Sequence, residues 1–181
     1  MLSESPDTLR LLADALKAVG SARITLRGES MHPTLREGWI LHVRSLPAEQ
    51  LRIGDIGAFV HGGVLTIHRL IWKKRTEAGW RLIFQGDNNP LREEVPPEAV
   101  LGKVEAAEEE RGDGPAKAAF TVGTDERAWF YRTLYRAHDT LARWVPGASL
   151  PRSDQPPGTV YRILRFVVRR VEPLFSPRPR R

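Results

Sequence analysis

A serine, a histidine and a turn rich in acid and amide groups are the residues of this chain that could do chemistry together. The stretch Gly28-Glu29-Ser30-Met31-His32-Pro33-Thr34-Leu35, followed by Arg36-Glu37-Gly38, sets a hydroxyl two residues after a glycine at the end of an extended run. A serine so placed can present its oxygen in a cleft while neighbouring amides face a developing oxyanion. The plainer role is that of a turn serine capping a short helix around Pro33. A second run, Leu65-Thr66-Ile67-His68-Arg69-Leu70-Ile71, embeds one histidine among β-type apolar residues. Strict alternation would put Leu65, Ile67, Arg69 and Ile71 on one face and Thr66, His68 and Leu70 on the other. Imidazole is the side chain that ordinarily titrates near neutral pH, so one aimed rigidly from a strand suits a general base. Its plainer role is a hydrogen-bonded strand histidine. The third stretch, Gln85-Gly86-Asp87-Asn88-Asn89-Pro90, taken alone is a turn.

Other chemistries are harder to build. The chain has no cysteine, which excludes disulfides, thiolate metal sites and a cysteine nucleophile. None of the five histidines pairs with another at the i, i+4 spacing of a helical zinc site, so neither a metal nor a cofactor is expected.

The elements that must position these residues can be read from periodicity. Residues 7 to 18 set Leu9, Leu12, Leu16 and Val19 near helical spacing behind Ser5, Pro6 and Asp7, and Gly20 ends the helix. From Ala22 the pattern changes to short β-rich runs: ARITLR, GWILHVR, DIGAFVH, GVLTIHRLIW, GWRLIFQ and AVLGKVE. His61, Gly62 and Gly63 form a hairpin turn, while Leu46 to Ile53 and Asn88 to Pro97 are longer connections. The expected organisation is a helical appendage over 1–21, a mostly antiparallel β domain over 22–106, a solvated linker over 107–125 and a basic helical region over 126–181.

Charge is unevenly placed. Residues 127 to 181 hold 12 arginines against Asp139, Asp154 and Glu172, a local balance of +9, which leaves −3 for the rest of a chain whose net charge is +6. Two helical patterns occur there: Phe130, Leu134, Ala137, Leu141 and Val145 with Arg132, Arg136 and Arg143 on another face, then Val160, Leu164, Val167 and Val171 opposing Arg162, Arg165 and Arg169. Aromatic residues among arginines, such as Trp129, Trp144 and Phe166, suit a peripheral anchor on anionic membrane over 126–175 better than nucleic acid. The plainer arrangement packs both helices on the β domain with their arginines in water. No run is long and apolar enough for a span, and the N-terminus lacks a signal peptide's apolar stretch. A cytoplasmic location, peripheral at a membrane, is expected.

Together the three stretches resemble the S24/S26 serine peptidases, the family of signal peptidase I and the LexA-type self-cleaving proteins. The likeness runs from Arg27 to Val104. Ser30, Met31 and Pro33 match the family's Ser-Met-x-Pro segment. Gly54 and Asp55 with the run to Phe59 match its Gly-Asp pair and following strand. His68-Arg69 matches the base and its arginine, Gly86 to Asn89 the Gly-Asp-Asn-Asn box, and Gly102-Lys103-Val104 the closing strand. Five blocks in one order are far more specific than any one of them.

The resemblance implies a compact, twisted, barrel-like β core and a serine endopeptidase in which Ser30 is the nucleophile, His68 its base and the Ser30 amide part of the oxyanion hole. A histidine before the arginine is the mark of the endoplasmic reticulum and archaeal-type signal peptidases, where the bacterial and LexA-like members have lysine. Lys73 and Lys74 lie too far along the strand to replace it. The histidine-type relatives add an acid that orients the imidazole, for which Glu93 and Asp87 are the candidates here. Gly28 stands where many signal peptidases have a serine, so a side-chain donor to the oxyanion is lost. The resemblance implies a protein or peptide precursor as substrate, cut after small residues. With no membrane span, and too few residues before Ala22 for a helix-turn-helix, cytoplasmic processing of leader or precursor peptides fits better than general signal-peptide removal or repression. The alternative is an inactive peptidase fold that binds partners through its basic tail.

Overall fold

The computed structural model describes residues 6–89, 91–109 and 117–121. The helices expected in 126–181 lie outside the described residues. Helix α1 (Pro6–Val19) carries Asp7 in its first turn and Lys17 in its last, each placed to complement the helix dipole. Leu9 and Leu16 are buried and Ala13 packs against the same core, a stripe spaced i, i+4, i+7. Val19, expected on that face, is 76% exposed. It lies roughly 60° round the helix from Leu16, and the helix closes directly after it, where the Gly20 amide donates to the Leu16 carbonyl at 2.9 Å.

Eight strands follow: β1 (Ser21–Thr25), β2 (Ile40–Ser45), β3 (Ile56–His61), β4 (Val64–Thr76), β5 (Gly79–Gln85), β6 (Arg92–Val95), β7 (Val100–Glu109) and β8 (Lys117–Thr121). They form one antiparallel sheet in the order β1-β2-β7-β3-β4-β5-β6, with β8 also paired to β7. The molecule is therefore mainly antiparallel β with an N-terminal helix, a curled half-barrel. All six runs read from the sequence become strands. Two further strands fall where connections were expected. One is β6, inside the Asn88 to Pro97 connection. The other involves the stretch read as a linker: β7 continues to Glu109, and β8 pairs with its second half at Ala106↔Thr121 and Ala107↔Phe120. The charge of residues 108 to 113 masked this continuation, although Ala107 is buried against the core.

Two long strands change neighbours along their length, and this curls the sheet. β7 holds β2 along one edge from Gly102 to Glu108, so β3 and β8 share the opposite edge, β3 pairing at 100–103 and β8 at 106–109. β4 pairs with β3 from Val64 to Arg69 and with β5 from Arg69 to Thr76, with an irregularity between Leu70 and Trp72. Ile67, His68, Arg69, Leu70 and Ile71 are all buried where β4 passes from one neighbour to the other. The side chains still alternate between the two faces, but both faces are covered there, so burial does not alternate with them. Ile67 joins a core with Leu16, Met31, Leu35, Leu41, Ile56 and Val104, whereas Leu70 joins Phe59, Leu82, Phe84 and Val100. The Phe59 and Phe84 rings meet at 4.5 Å, and each such burial contributes roughly 1.5–3 kcal/mol.

At Gly102, β7 lies close against the backbone of β2. A Cβ built there would lie 2.1 Å from the Arg44 carbonyl oxygen and 2.8 Å from its carbon, both backbone atoms that cannot swing aside. Gly102→Ala is therefore expected to destabilise the protein by about 1–3 kcal/mol or more. Leu11→Ala, at a side chain 69% exposed on α1, is expected to leave the unfolding free energy measured in urea within about 0.5 kcal/mol of the parent. Equal midpoints for Gly102→Ala and the parent would contradict this account of the β2–β7 contact.

Candidate active site

Ser30 lies in the loop between β1 and β2. Its base is closed by Leu26 and Trp39, with the Leu26 amide on the Trp39 carbonyl at 2.8 Å and the Gly38 amide on the Leu26 carbonyl at 2.9 Å. Its tip is anchored by Met31 and Leu35, both fully buried in the first core. The Ser30 carbonyl accepts from the Asn88 amide at 2.7 Å, which ties the loop to the turn after β5. Ser30 is thus held on both sides, by apolar burial of its neighbour and by a backbone bond to a distant segment.

His68 projects from the middle of β4 with 3% of its surface exposed. Its ring meets the edge of Phe59 at 6.2 Å. Nε2 lies 3.0 Å from Ser30 Oγ, and Nδ1 lies 2.6 Å from Oε2 of Glu93 on β6. A carboxylate can only accept, so Glu93 fixes the ring proton on Nδ1 and leaves the Nε2 lone pair facing the serine hydroxyl. β6 carries Glu93 to this place because it pairs with β5 at Phe84↔Glu93, while β4 pairs with β5 from Arg69↔Gln85. Hydroxyl, imidazole and carboxylate in a hydrogen-bonded line are the parts of a nucleophile, base and orienting group.

Asp87, the other candidate for the orienting acid, does not meet His68. It receives Arg69 in a two-pronged grip, Nε to Oδ1 at 2.9 Å and Nη2 to Oδ2 at 2.7 Å, and the Thr34 hydroxyl donates to Oδ2 at 2.5 Å. The physical reason lies in β4: consecutive residues point to opposite sides, so the acid that serves Arg69 is not available to His68. Arg69 Nη1 also donates to the Gly54 carbonyl at 2.7 Å. Gly54 and Asp55 are in turn tied to Leu70 by two backbone bonds of 2.8 Å. Asp55, 1% exposed, accepts from Lys103 Nζ at 3.1 Å and from the Arg52 amide at 2.8 Å.

Gly86 has a steric reason to be glycine. A Cβ there would stand 2.7 Å from the Ser30 carbonyl oxygen and 2.9 Å from His68 Nε2, closer than either contact allows. Lys73 is directed elsewhere, its ammonium donating to the Glu49 and Leu51 carbonyls at 2.6 and 2.9 Å and lying over the Trp80 ring at 4.4 Å. Burial lowers its pKa below the ordinary lysine value, against the opposing pull of Glu49 and Asp55. Thr34 was part of the serine motif in the sequence but had no role assigned. Its contact with Asp87, 53 positions away, has no local signal.

No curated protein matches the chain closely enough to be compared with it. A family model does match, under the description Peptidase S24-like, over residues 3–105. That span includes α1, the loop of Ser30, the crossing point of β4, the turn at Gly86 and the strand that carries Glu93. Because the match covers more than half of the 181 residues and every element that holds this hydrogen-bonded line, the chain belongs to the peptidase S24-like family.

Proposed function

We propose that this chain is a serine endopeptidase in which Ser30 attacks a peptide carbonyl, His68 accepts its proton and Glu93 orients the imidazole. The observation that carries this reading is the contact of Ser30 Oγ with His68 Nε2 at 3.0 Å, with Glu93 on the opposite ring nitrogen at 2.6 Å. As the Ser30 oxygen bonds to the carbonyl carbon, its proton passes to Nε2 and the carbonyl oxygen takes up negative charge. Collapse of that adduct breaks the C–N bond, and the proton on Nε2 leaves with the amine. Water then repeats the sequence in reverse roles and frees the acid. The Ser30 backbone amide is the proposed oxyanion donor. Support for the substrate comes from the family likeness: a precursor or leader peptide, cut after small residues.

Ser30→Ala and His68→Ala are each expected to abolish cleavage of synthetic precursor peptides with small residues before the cut, followed by mass spectrometry. Their combination should cost no more than either alone, since nucleophile and base act as one unit. His68→Ala retaining most of the activity would remove the imidazole from the mechanism. Glu93→Gln is expected to lower kcat by about 10²–10⁴, because an amide no longer dictates which ring nitrogen holds the proton. Glu93→Gln leaving kcat at the parent value would remove Glu93 as the orienting acid.

The basic segment 126–175 is proposed to hold the enzyme at anionic membrane. Its support is the sequence alone: arginines at helical spacing beside Phe130, Leu134, Val160 and Leu164. No helix among the described residues is long and apolar enough to cross a membrane. Attraction of about 1 kcal/mol per basic residue suffices for measurable binding. The chain is expected to sediment with anionic vesicles, less so at ~1 M salt, where the Debye length falls to ~3 Å. Equal recovery with neutral and anionic vesicles would rule out this attachment.

A further inference from the structure

We propose that Thr34 is a positioning residue for the reaction, its hydroxyl setting the distance between Ser30 and His68. The inference rests on the reading of Ser30 and His68 as the reacting pair. Thr34 is 4% exposed and sits four residues beyond Ser30 in the same loop. Its Oγ1 donates to Asp87 Oδ2 at 2.5 Å. Asp87 is fixed to Arg69 by two bonds of 2.9 and 2.7 Å, and Arg69 follows His68 on β4. The hydroxyl therefore joins the loop that carries the nucleophile to the strand that carries the base, through a carboxylate that cannot move independently of that strand.

Two other described bonds tie this loop to the same turn, both from Asn88: its amide on the Ser30 carbonyl at 2.7 Å and its Nδ2 on the Glu29 carbonyl at 3.5 Å. Both hold main-chain carbonyls at the adjacent positions 29 and 30, while Met31 and Leu35 anchor the loop by apolar packing, which has no directional bond. The bond from Thr34 adds a directional tie further along the loop, to the carboxylate that grips Arg69. Gly86 leaves the intervening space open, with Ser30 and His68 each within 3 Å of the place where its Cβ would stand. No side chain at position 86 buttresses the gap, so the distance between the reacting atoms depends on the flanking ties. A displacement of about 1 Å at a reacting centre costs on the order of 100-fold in rate. Loss of the hydroxyl leaves Asp87 paired with Arg69, so no buried charge is orphaned and the effect on folding is small.

The test compares the parent chain with Thr34→Val, which keeps the shape and removes the hydroxyl, and Thr34→Ser, which keeps the hydroxyl. The probe is an alkyl fluorophosphonate, followed by intact mass and peptide mapping, with the maximal labelling rate at Ser30 separated from the half-saturating probe concentration. Thr34→Val is expected to lower the maximal rate roughly 10- to 100-fold with the half-saturating concentration unchanged, and Thr34→Ser to restore it. Labelling of Thr34→Val at the parent rate would overturn the proposal. A loss accompanied by a matching fall in the urea unfolding midpoint, or one that Thr34→Ser does not recover, would make the residue merely structural and overturn it as well. Ser30→Ala, run alongside, separates the two levels: label that persists in it, or a parent chain that takes none, defeats the nucleophile reading itself.

Discussion

The two-pronged pair between Arg69 and Asp87 is the interaction on which the geometry of the site depends. Both side chains are almost wholly buried, at 1% and 3% of their surface. Removing either partner would leave a charge in the interior, a loss of about 3–5 kcal/mol. Well-packed apolar residues would hold the fold as well or better, so stability is a poor explanation for the pair. Its place in the chain is a better one. Arg69 adjoins His68, and Asp87 stands between Gly86, which faces the Ser30–His68 gap, and Asn88, which binds the Ser30 carbonyl. One ion pair therefore fixes the separation of two segments that meet nowhere near each other in sequence.

The same contact gives the five sequence blocks a common physical purpose. Gly54 lends its carbonyl to Arg69, Asp55 is bonded to Leu70 and Lys103, and Thr34 completes the coordination of Asp87. The blocks from Ser30 to Lys103 form one connected set of polar bonds, all buried or part-buried. Such networks act at low local dielectric, where a satisfied bond is strong and an unsatisfied one is costly. The bent strand β4 makes this possible, since its five consecutive buried residues serve two apolar cores and the polar network at once.

A histidine at position 68 also fits its surroundings. A lysine base needs strong desolvation to lose its proton near neutral pH, and the nearby lysine that burial does affect, Lys73, is turned towards main-chain carbonyls and Trp80. An imidazole needs no such depression, but it needs an acceptor to choose its tautomer. Glu93 is placed to do so from a strand of only four residues, Arg92 to Val95.

What the sequence determined by itself was local. The hydrophobic period marked α1 and six of the strands, the glycine turn marked the β3–β4 hairpin, and the order of short motifs pointed to Ser30, His68 and the family. Alternation could not foresee that Ile67 to Ile71 would be buried on both sides, because that follows from a change of neighbour midway along β4. The short β6 was hidden among acids and prolines, and β8 among the charges of an expected linker. Its pairing comes from the length of β7, which has edge to spare beyond β3. The choice between Glu93 and Asp87 was likewise beyond the sequence. Both acids lie within a few residues of the same box, and only the opposite directions of His68 and Arg69 on one strand, set against β5, β6 and the turn between them, send each acid to its own partner.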